Sequence, residues 1–430
     1  MMKRTGRGLA LLLALMLLLA QPVTALAEGT GGPIGDSGLS WTLDSDGVLT
    51  VEGSGAIPDY EKGAAQPWKG VLLKIRAVRI GDGVTRIGDR AFQSCKRLET
   101  LSLGGNVKSI GQWAFQNCYA LQTVEGVPEG LSPEKGAFRS TPVEWDMSAR
   151  MSEAYRGSAY CQALTALQPG EDLRENVLAV AKAQIGYHEG DSPADYDGAN
   201  QNGTQDFTEF GQWLDSPGGA WCSEFASWCI RLAGVPWDMV ANSRSANAEG
   251  FTDGTDARYY AWADTVYAGG SFQPRKGDII LFAEPGSEIA PGESLKHTAL
   301  LEEELSAAGG TVQLRIVHGN SGDRVKENEI LLAADSGMLQ TGDNQIAYFV
   351  APAYDKPVTR WTLRFDPRGG SVSPAYKSVA EGSVYGVLPL PQRPGFVFDG
   401  WYTAPEGGER VEMGSRWNET ADQTLYAHWK

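Results

Sequence analysis

Cys222 lies in the run Trp221-Cys222-Ser223-Glu224-Phe225, and His297 follows 75 residues later in KHTALLEE, with His318 and Asn320 close behind in IVHGNSGDRV. A thiol, an imidazole and a polar amide in one segment are the parts needed for acyl transfer. The thiolate attacks a carbonyl, the imidazole moves the proton, and an amide or carboxylate oxygen fixes the imidazole tautomer through its other nitrogen. A free thiol with a pKa near ~8.5 is a poor nucleophile at neutral pH until a nearby imidazole or a helix N-terminus favours its charged form. The stretch CSEFASWCIRLAG reads as a helix that opens at the cysteine, so unpaired N–H groups there would face both the thiolate and a developing oxyanion.

The other chemically able side chains in this segment have plainer readings. Cys229 repeats the face of Cys222 two turns on and is expected in the core. His188, in GYHEGD, is a weak alternative base, read as a surface or groove-lining residue. Glu224 falls on the first turn of the expected helix, where an acid suits the helix dipole and solvation explains it. Asp278 in KGDIILF is expected as a turn residue before a strand. The histidines are scattered, and neither H-E-x-x-H nor C-x-x-C spacing occurs, so no metal site is indicated. No glycine loop of the phosphate-binding kind precedes a helix, and thiol acyl transfer needs no cofactor.

The elements that must position these residues belong to a longer, segmented chain of 430 residues. Its start has a basic MMKRTGRG, an apolar LALLLALMLLLA and an Ala25-Leu26-Ala27 cleavage pattern, the form of an export signal over residues 1–27. Removing it takes away Lys3, Arg4 and Arg7 and no acid, so the net charge of -16 becomes -19, which makes nucleic acid and anionic lipid poor partners. No later apolar run is long enough to span a bilayer. The 53 glycines and 13 tryptophans point away from one helical domain towards two or three modules. The five cysteines are odd in number, and Cys222 and Cys229 would lie roughly 10.5 Å apart along a helix, beyond the reach of a disulfide.

Residues 78–141 repeat with a period of 23: Ile87 and Ile110, Ala91, Ala114 and Ala137, Phe92, Phe115 and Phe138, then Cys95, Cys118 and Thr141. Such a period predicts a short solenoid whose units bury their apolar faces against one another, with Cys95 and Cys118 as small core fillers. Upstream, Trp41-Thr42-Leu43 and Val48-Leu49-Thr50-Val51 alternate around Asp46-Gly47, predicting a hairpin that caps the open edge. Residues 146–172 are polar and Ala-rich and read as a helical or loose connector. From 173 to 352 the pattern is α+β: a helix in EDLRENVLAVAKAQIG, the Cys222 helix, then strands in GDIILF, HTALLEEEL, VQLRIVHG and QIAYFVA. Residues 361–430 form a small β-rich domain whose Trp401 and Trp429 are expected in its core rather than on a sugar-binding face.

Three of these segments resemble known families. GVTRIGDRAF…C..L..L.L, with the SWTLDSDGVLTVEGSG stretch before it, resembles the BspA-like leucine-rich repeats of bacterial surface proteins over residues 38–145. WTLRFDPRGGSVSP, GSVYGVLPLPQRPGFVFDGWY and TLYAHW resemble the Listeria-Bacteroides repeat, a β-grasp-like module. AKAQIGYHEG, Glu209-Phe210-Gly211-Gln212-Trp213, AWCSEFASWCIRLAGVP, RKGDIILF, HTALLEE and IVHGNSGDRV resemble the CHAP family of cysteine- and histidine-dependent amidohydrolases and peptidases, related to NlpC-type enzymes with papain-like folds.

The CHAP resemblance implies Cys222 as nucleophile, His297 as base and Asn320 at the position of the orienting polar residue. Many relatives carry Glu two residues before that Asn, where this chain has His318. His318 either supports His297 as an unusual third member or lines the substrate groove while Asn320 orients alone, and the second is the expectation. The resemblance further implies an exported hydrolase of peptidoglycan or another cell-surface peptide or glycan. A surface adhesin with a degenerate CHAP domain, and a thiol protease acting away from the wall, are the alternatives.

Overall fold

The computed structural model describes residues 30–118, 120–128, 131–134, 136–139, 141, 151–214, 216, 218–287 and 289–430. The expected export signal at 1–27 lies outside them. In the first domain the 23-residue period becomes the pitch of a parallel sheet: Ala77 pairs with Thr100 and Thr100 with Thr123. A second, shorter parallel sheet runs through Val84–Ile87, Ser109–Ile110 and Ser132–Pro133. Between the two sheets the aromatic position of each repeat stacks on the next, Phe92 on Phe115 and Phe115 on Phe138, each pair with centroids 5.2 Å apart. Trp68, outside the repeat pattern, extends the column at 4.8 Å from Phe92 and donates its indole N–H to the Ala91 carbonyl. Cys95 and Cys118 are fully buried beside this column. The hairpin of Leu39–Leu43 and Val48–Gly53 closes one end of the larger sheet together with Thr30–Pro33.

The middle domain is a six-stranded antiparallel sheet in the order Arg258–Ala261, Gln345–Ala351, Ile279–Ala283, His297–Ala308, Thr311–His318, Lys326–Ala333. Four of these strands were expected; Arg258–Ala261 and Lys326–Ala333 extend the sheet at its two edges. The helix Cys222–Leu232 packs against the His297 strand and against the helix Leu173–Lys182, whose N-cap Asp172 accepts from the N–H groups of Arg174 and Glu175. Asp278 does more than close a turn: it is buried and bonds Arg174 at 2.9 Å, joining that helix to the Ile279–Ala283 strand.

The described part of the 146–172 segment differs from a connector. It forms two short helices, Glu153–Arg156 and Ala159–Thr165, and buries Met151, Tyr155, Cys161 and Leu164 in the middle-domain core. The Tyr155 hydroxyl bonds Gln184 at 2.7 Å and its ring meets Trp228 edge-on. Polar residues between these apolar ones mask a helical burial pattern in the sequence.

The last domain is a five-stranded sheet, Tyr376–Ala380, Arg360–Asp366, Gln423–Trp429, Phe398–Tyr402, Arg410–Val411, with a parallel pair at its centre. Trp401 is buried and donates to the Pro389 carbonyl, and half-buried Trp429 donates to that of Pro367, so both indoles are structural. This domain shares one continuous apolar core with the middle domain. Its loop around Gly386 docks on the C-terminal end of the Cys222 helix, where the Val387 N–H reaches the Leu232 carbonyl. Gly386 has φ +66, and a Cβ there would stand 2.8 Å from the same carbonyl, so glycine is required. The solenoid touches both other domains, through Lys96 with Asp253 and through Arg416 with the Gln122 carbonyl. Among the described residues no helix is long and apolar enough to cross a membrane. All five cysteines are free and buried.

Truncating the centre of the aromatic column leaves a cavity between two rings. Phe115→Ala is expected to lower solenoid stability by about 3–5 kcal/mol in chemical denaturation while leaving the alkylation rate of Cys222 unchanged.

Candidate active site

Cys222 begins its helix directly after Trp221, which supplies no side-chain cap, so the first-turn N–H groups keep their free direction. Trp221 is instead an anchor. It is fully buried, packs against Phe210 and edge-on to Tyr187 and Phe225, and donates its indole N–H to Glu189 at 2.7 Å. One residue past the cysteine, Ser223 Oγ and Thr298 Oγ1 lie 2.6 Å apart, tying the first helical turn to the residue that follows His297. The Thr298 backbone N–H also points at the Cys222 thiol. These contacts carry the thiol to the start of the strand on which His297 stands.

His297 faces Phe282 on one neighbouring strand. On the other side its Nε2 lies 2.8 Å from His318 Nδ1, with the two rings nearly perpendicular. His318, the last residue of the Thr311–His318 strand, in turn meets Asn328 Oδ1 through its Nε2 at 2.8 Å. Asn320 is elsewhere. It has a left-handed φ of 53 and donates its amide to Asp206 at 3.0 Å, so the expected orienting contact with His297 is absent and His318 occupies that place. The cause is the backbone: the strand ends at His318 and Gly319 passes so close to the helix that a Cβ would sit 2.5 Å from the Trp221 ring, turning Asn320 away.

Electrostatics in the resting site favour neutral groups. Burial pushes the Cys222 thiol up, against hydrogen bonds from Thr298 and Ser223 that favour the thiolate. Burial, with the adjacent His318, pushes His297 down to about 3. His318 also falls through burial, although its bond to Asn328 opposes the shift. The helix N-terminus expected to hold a thiolate is therefore outweighed by desolvation, and thiol and imidazole stand as an uncharged pair.

Two residues differ from their expected surroundings. His188 is buried, not on a surface, and its Nδ1 lies 2.9 Å from the Glu189 carbonyl oxygen. Glu224 is 1% exposed rather than solvated, one carboxylate oxygen has no hydrogen-bond partner, and burial pushes its pKa up to about 8. Cys229 is fully buried, in line with its core reading.

Sequence reasoning missed Glu189, Asp206, Thr298 and Asn328. Glu189 is buried and accepts from both the Trp221 indole and the Asp206 backbone N–H, so it joins the cysteine loop to the Asn320 contact. Its partners are 17 and 32 residues away, and no periodic pattern encodes that separation. Asn328 had one available signal, the place of a polar residue two positions along an edge strand from the partner of His318. Among the described residues no group of three or more His, Cys, Asp or Glu side chains is gathered as a metal ion requires.

Comparison with known proteins assigns residues 71–145 to the BspA type leucine rich repeat region, in six copies, residues 214–320 to the CHAP domain, and residues 361–428 to the Listeria-Bacteroides repeat domain. The chain thus combines these three modules. Among solved structures it is similar to a leucine-rich repeat protein from Eubacterium ventriosum, at 34% identity over 24% of this chain and 27% of that one, with TM-score 0.23. It is also similar to a leucine rich cell surface protein from Faecalibacterium prausnitzii, at 19% identity over 26% of this chain and 47% of that one, with TM-score 0.15. Both matches span less than half the length of the other protein. No curated protein matches the chain.

The Glu224 carboxyl gives the site a measurable pH signature. In the unfolded chain it loses its proton near ~4.3, and in the folded protein near the raised value, so stability falls as pH climbs through that interval. Glu224→Gln is expected to match the parent protein below pH ~4 and to exceed it by on the order of a few kcal/mol near pH ~8, read by urea denaturation at the two pH values. An unchanged pH dependence in the variant would show that another group is responsible.

Proposed function

For a chain that joins a CHAP domain to BspA-type leucine-rich repeats and a Listeria-Bacteroides repeat, we propose the role of an exported hydrolase that cuts an amide bond in peptidoglycan. The carrying observation is a buried thiol at an uncapped helix N-terminus whose first turn is tied by Ser223 to Thr298, the residue after an imidazole that is itself held by a second imidazole. Cys222 is the nucleophile. As substrate enters, His297 takes the thiol proton while Sγ bonds to the amide carbon, and the oxyanion is met by first-turn N–H groups. His297 then gives that proton to the leaving amine, forming a thioester, and water activated by the same imidazole releases the acid and frees the thiol.

The uncharged resting pair supports this order of events. A thiolate–imidazolium pair would cost solvation energy in so buried a site, whereas proton transfer coupled to attack creates charge only where the oxyanion donors wait. His318 in place of an acid can accept a hydrogen bond but offers no negative charge to the imidazolium, which weakens the base relative to a carboxylate-supported one. The export signal expected at 1–27 and the surface-protein character of the flanking repeats support an extracellular site of action, with the flanking modules holding the enzyme at a surface.

Purified protein is expected to release soluble fragments from isolated peptidoglycan, and Cys222→Ala to release none, with mass spectrometry of the fragments identifying whether the bond is a lactyl amide or a peptide cross-bridge. Release surviving in Cys222→Ala would sink the assignment of Cys222, and no release by either protein would leave the chain as a binding protein.

A further inference from the structure

The geometry points to Asn328 as a positioning residue that sets the proton arrangement of the whole site: it holds His318 in one tautomer, and His318 thereby leaves the lone pair of His297 on Nδ1, the nitrogen the proposed mechanism needs to take the thiol proton. The inference rests on the thiol mechanism proposed above and adds a residue that neither the sequence pattern nor the matched CHAP segment, which ends at 320, contains.

The argument is one of counting protons along a chain of hydrogen bonds. Asn328 Oδ1 is an acceptor, so the His318 Nε2 that meets it at 2.8 Å must carry hydrogen. In a neutral imidazole the other nitrogen then has only its lone pair, so His318 Nδ1 is an acceptor. The His297 Nε2 that meets it at 2.8 Å must therefore donate, and the nitrogen left unprotonated on His297 is Nδ1. That nitrogen is the base. The reverse assignment, with the Asn328 amide nitrogen donating, would reverse every proton in the series and place a hydrogen on His297 Nδ1, leaving no base for the thiol. Asparagine amide orientation is thus coupled to function through two rings.

Strand register explains why position 328 can do this. His318 pairs across the sheet with Lys326, and Ile316 pairs with Asn328, so His318 and Asn328 are diagonal neighbours on one face of the strand pair. Lys326, directly opposite His318, is the charged group facing that ring, and it opposes protonation. From the other elements, Phe282 faces His297 from its neighbouring strand, and the first turn of the Cys222 helix meets the residue after it through the Ser223–Thr298 contact. Both rings therefore remain neutral as the resting state requires. A proton added to either ring disables the base: a doubly protonated His318 forces His297 Nε2 to accept, and the remaining hydrogen moves to Nδ1.

Two substitutions separate the role of Asn328 from simple support of the fold. Asn328→Leu removes the acceptor and lets both tautomers form; Asn328→Asp keeps the acceptor and adds charge. In ¹⁵N-histidine NMR spectra of the full-length resting protein, which need no substrate, His297 and His318 are expected as Nε2–H tautomers in the parent and as mixtures in Asn328→Leu. In fragment release, Asn328→Leu is expected to lower kcat on the order of tenfold with KM unchanged. Asn328→Asp is expected to restore the tautomers and to move the acid limb of kcat upward by about one pH unit, because the added carboxylate favours protonated His318. Parent-like tautomers and an unmoved pH profile in both variants would overturn the inference. If instead the tautomers behave as stated but Cys222→Ala remains active, the arrangement stands and the hydrolase reading falls.

Discussion

The contact between Ser223 and Thr298 is the constraint on which the site depends. A helix N-terminus and a strand end are independent elements, and nothing in their regular hydrogen bonding fixes the distance between a thiol on one and an imidazole on the other. Two hydroxyls at 2.6 Å, both fully buried, supply that fix one residue away from each reacting group. Either hydroxyl left alone would be an unsatisfied buried group, so the pair holds its register by the cost of separating it. The Glu189–Trp221 bond supports the same turn from behind, and the aromatic cluster of Tyr187, Phe210 and Phe225 leaves the indole no alternative position.

Once that geometry is set, burial governs the chemistry. The same desolvation raises the thiol, lowers both imidazoles and raises Glu224, so all four of these groups are pushed towards their neutral forms. The helix N-terminus works in the opposite direction on Cys222, and its influence is reserved for charge that appears during attack. The histidine–histidine–asparagine series fits that setting, since a neutral imidazole adds no charge to the buried site, and Lys326 across the strand pair disfavours its protonation.

Much of this was legible in the sequence because it is local. The 23-residue period of Phe92, Phe115 and Phe138 fixes the solenoid pitch, and alternation around Asp46-Gly47 fixes its hairpin cap. The order of helix, then strands, placed Cys222 and His297 at an element start and a strand start. What the sequence could not carry is the choice among near neighbours. His318 and Asn320 are two residues apart, and which one reaches His297 is decided by Gly319 closing on Trp221, a contact between segments nearly a hundred residues apart. Glu224 read as a solvated acid because a first-turn carboxylate normally is one. The short helix Glu209–Trp213 covers it instead, passing so close that a Cβ on its Gly211 would stand 2.9 Å from a Glu224 oxygen. Residues 151–165 read as a connector because their large apolar side chains are few; Met151, Tyr155, Cys161 and Leu164 are nevertheless buried in the middle-domain core.

The C-terminal domain changes meaning in the same light. As a sequence it is a separate module, joined through a proline-containing linker and rich in its own vocabulary. In space it closes the far end of the Cys222 helix: the Val387 N–H satisfies the Leu232 carbonyl, one of those that a helix C-terminus leaves unpaired, and the buried Lys377 amine, pushed down to about 7 by burial, donates to the carbonyls of Tyr385 and Val387 and so fixes the docking loop. The helix that presents the thiol is consequently held at its first turn by the His297 strand and Glu189, and at its last turn by a different domain. A module that fills the core behind Cys222 and caps its helix is structurally part of the middle domain rather than an appendage to it.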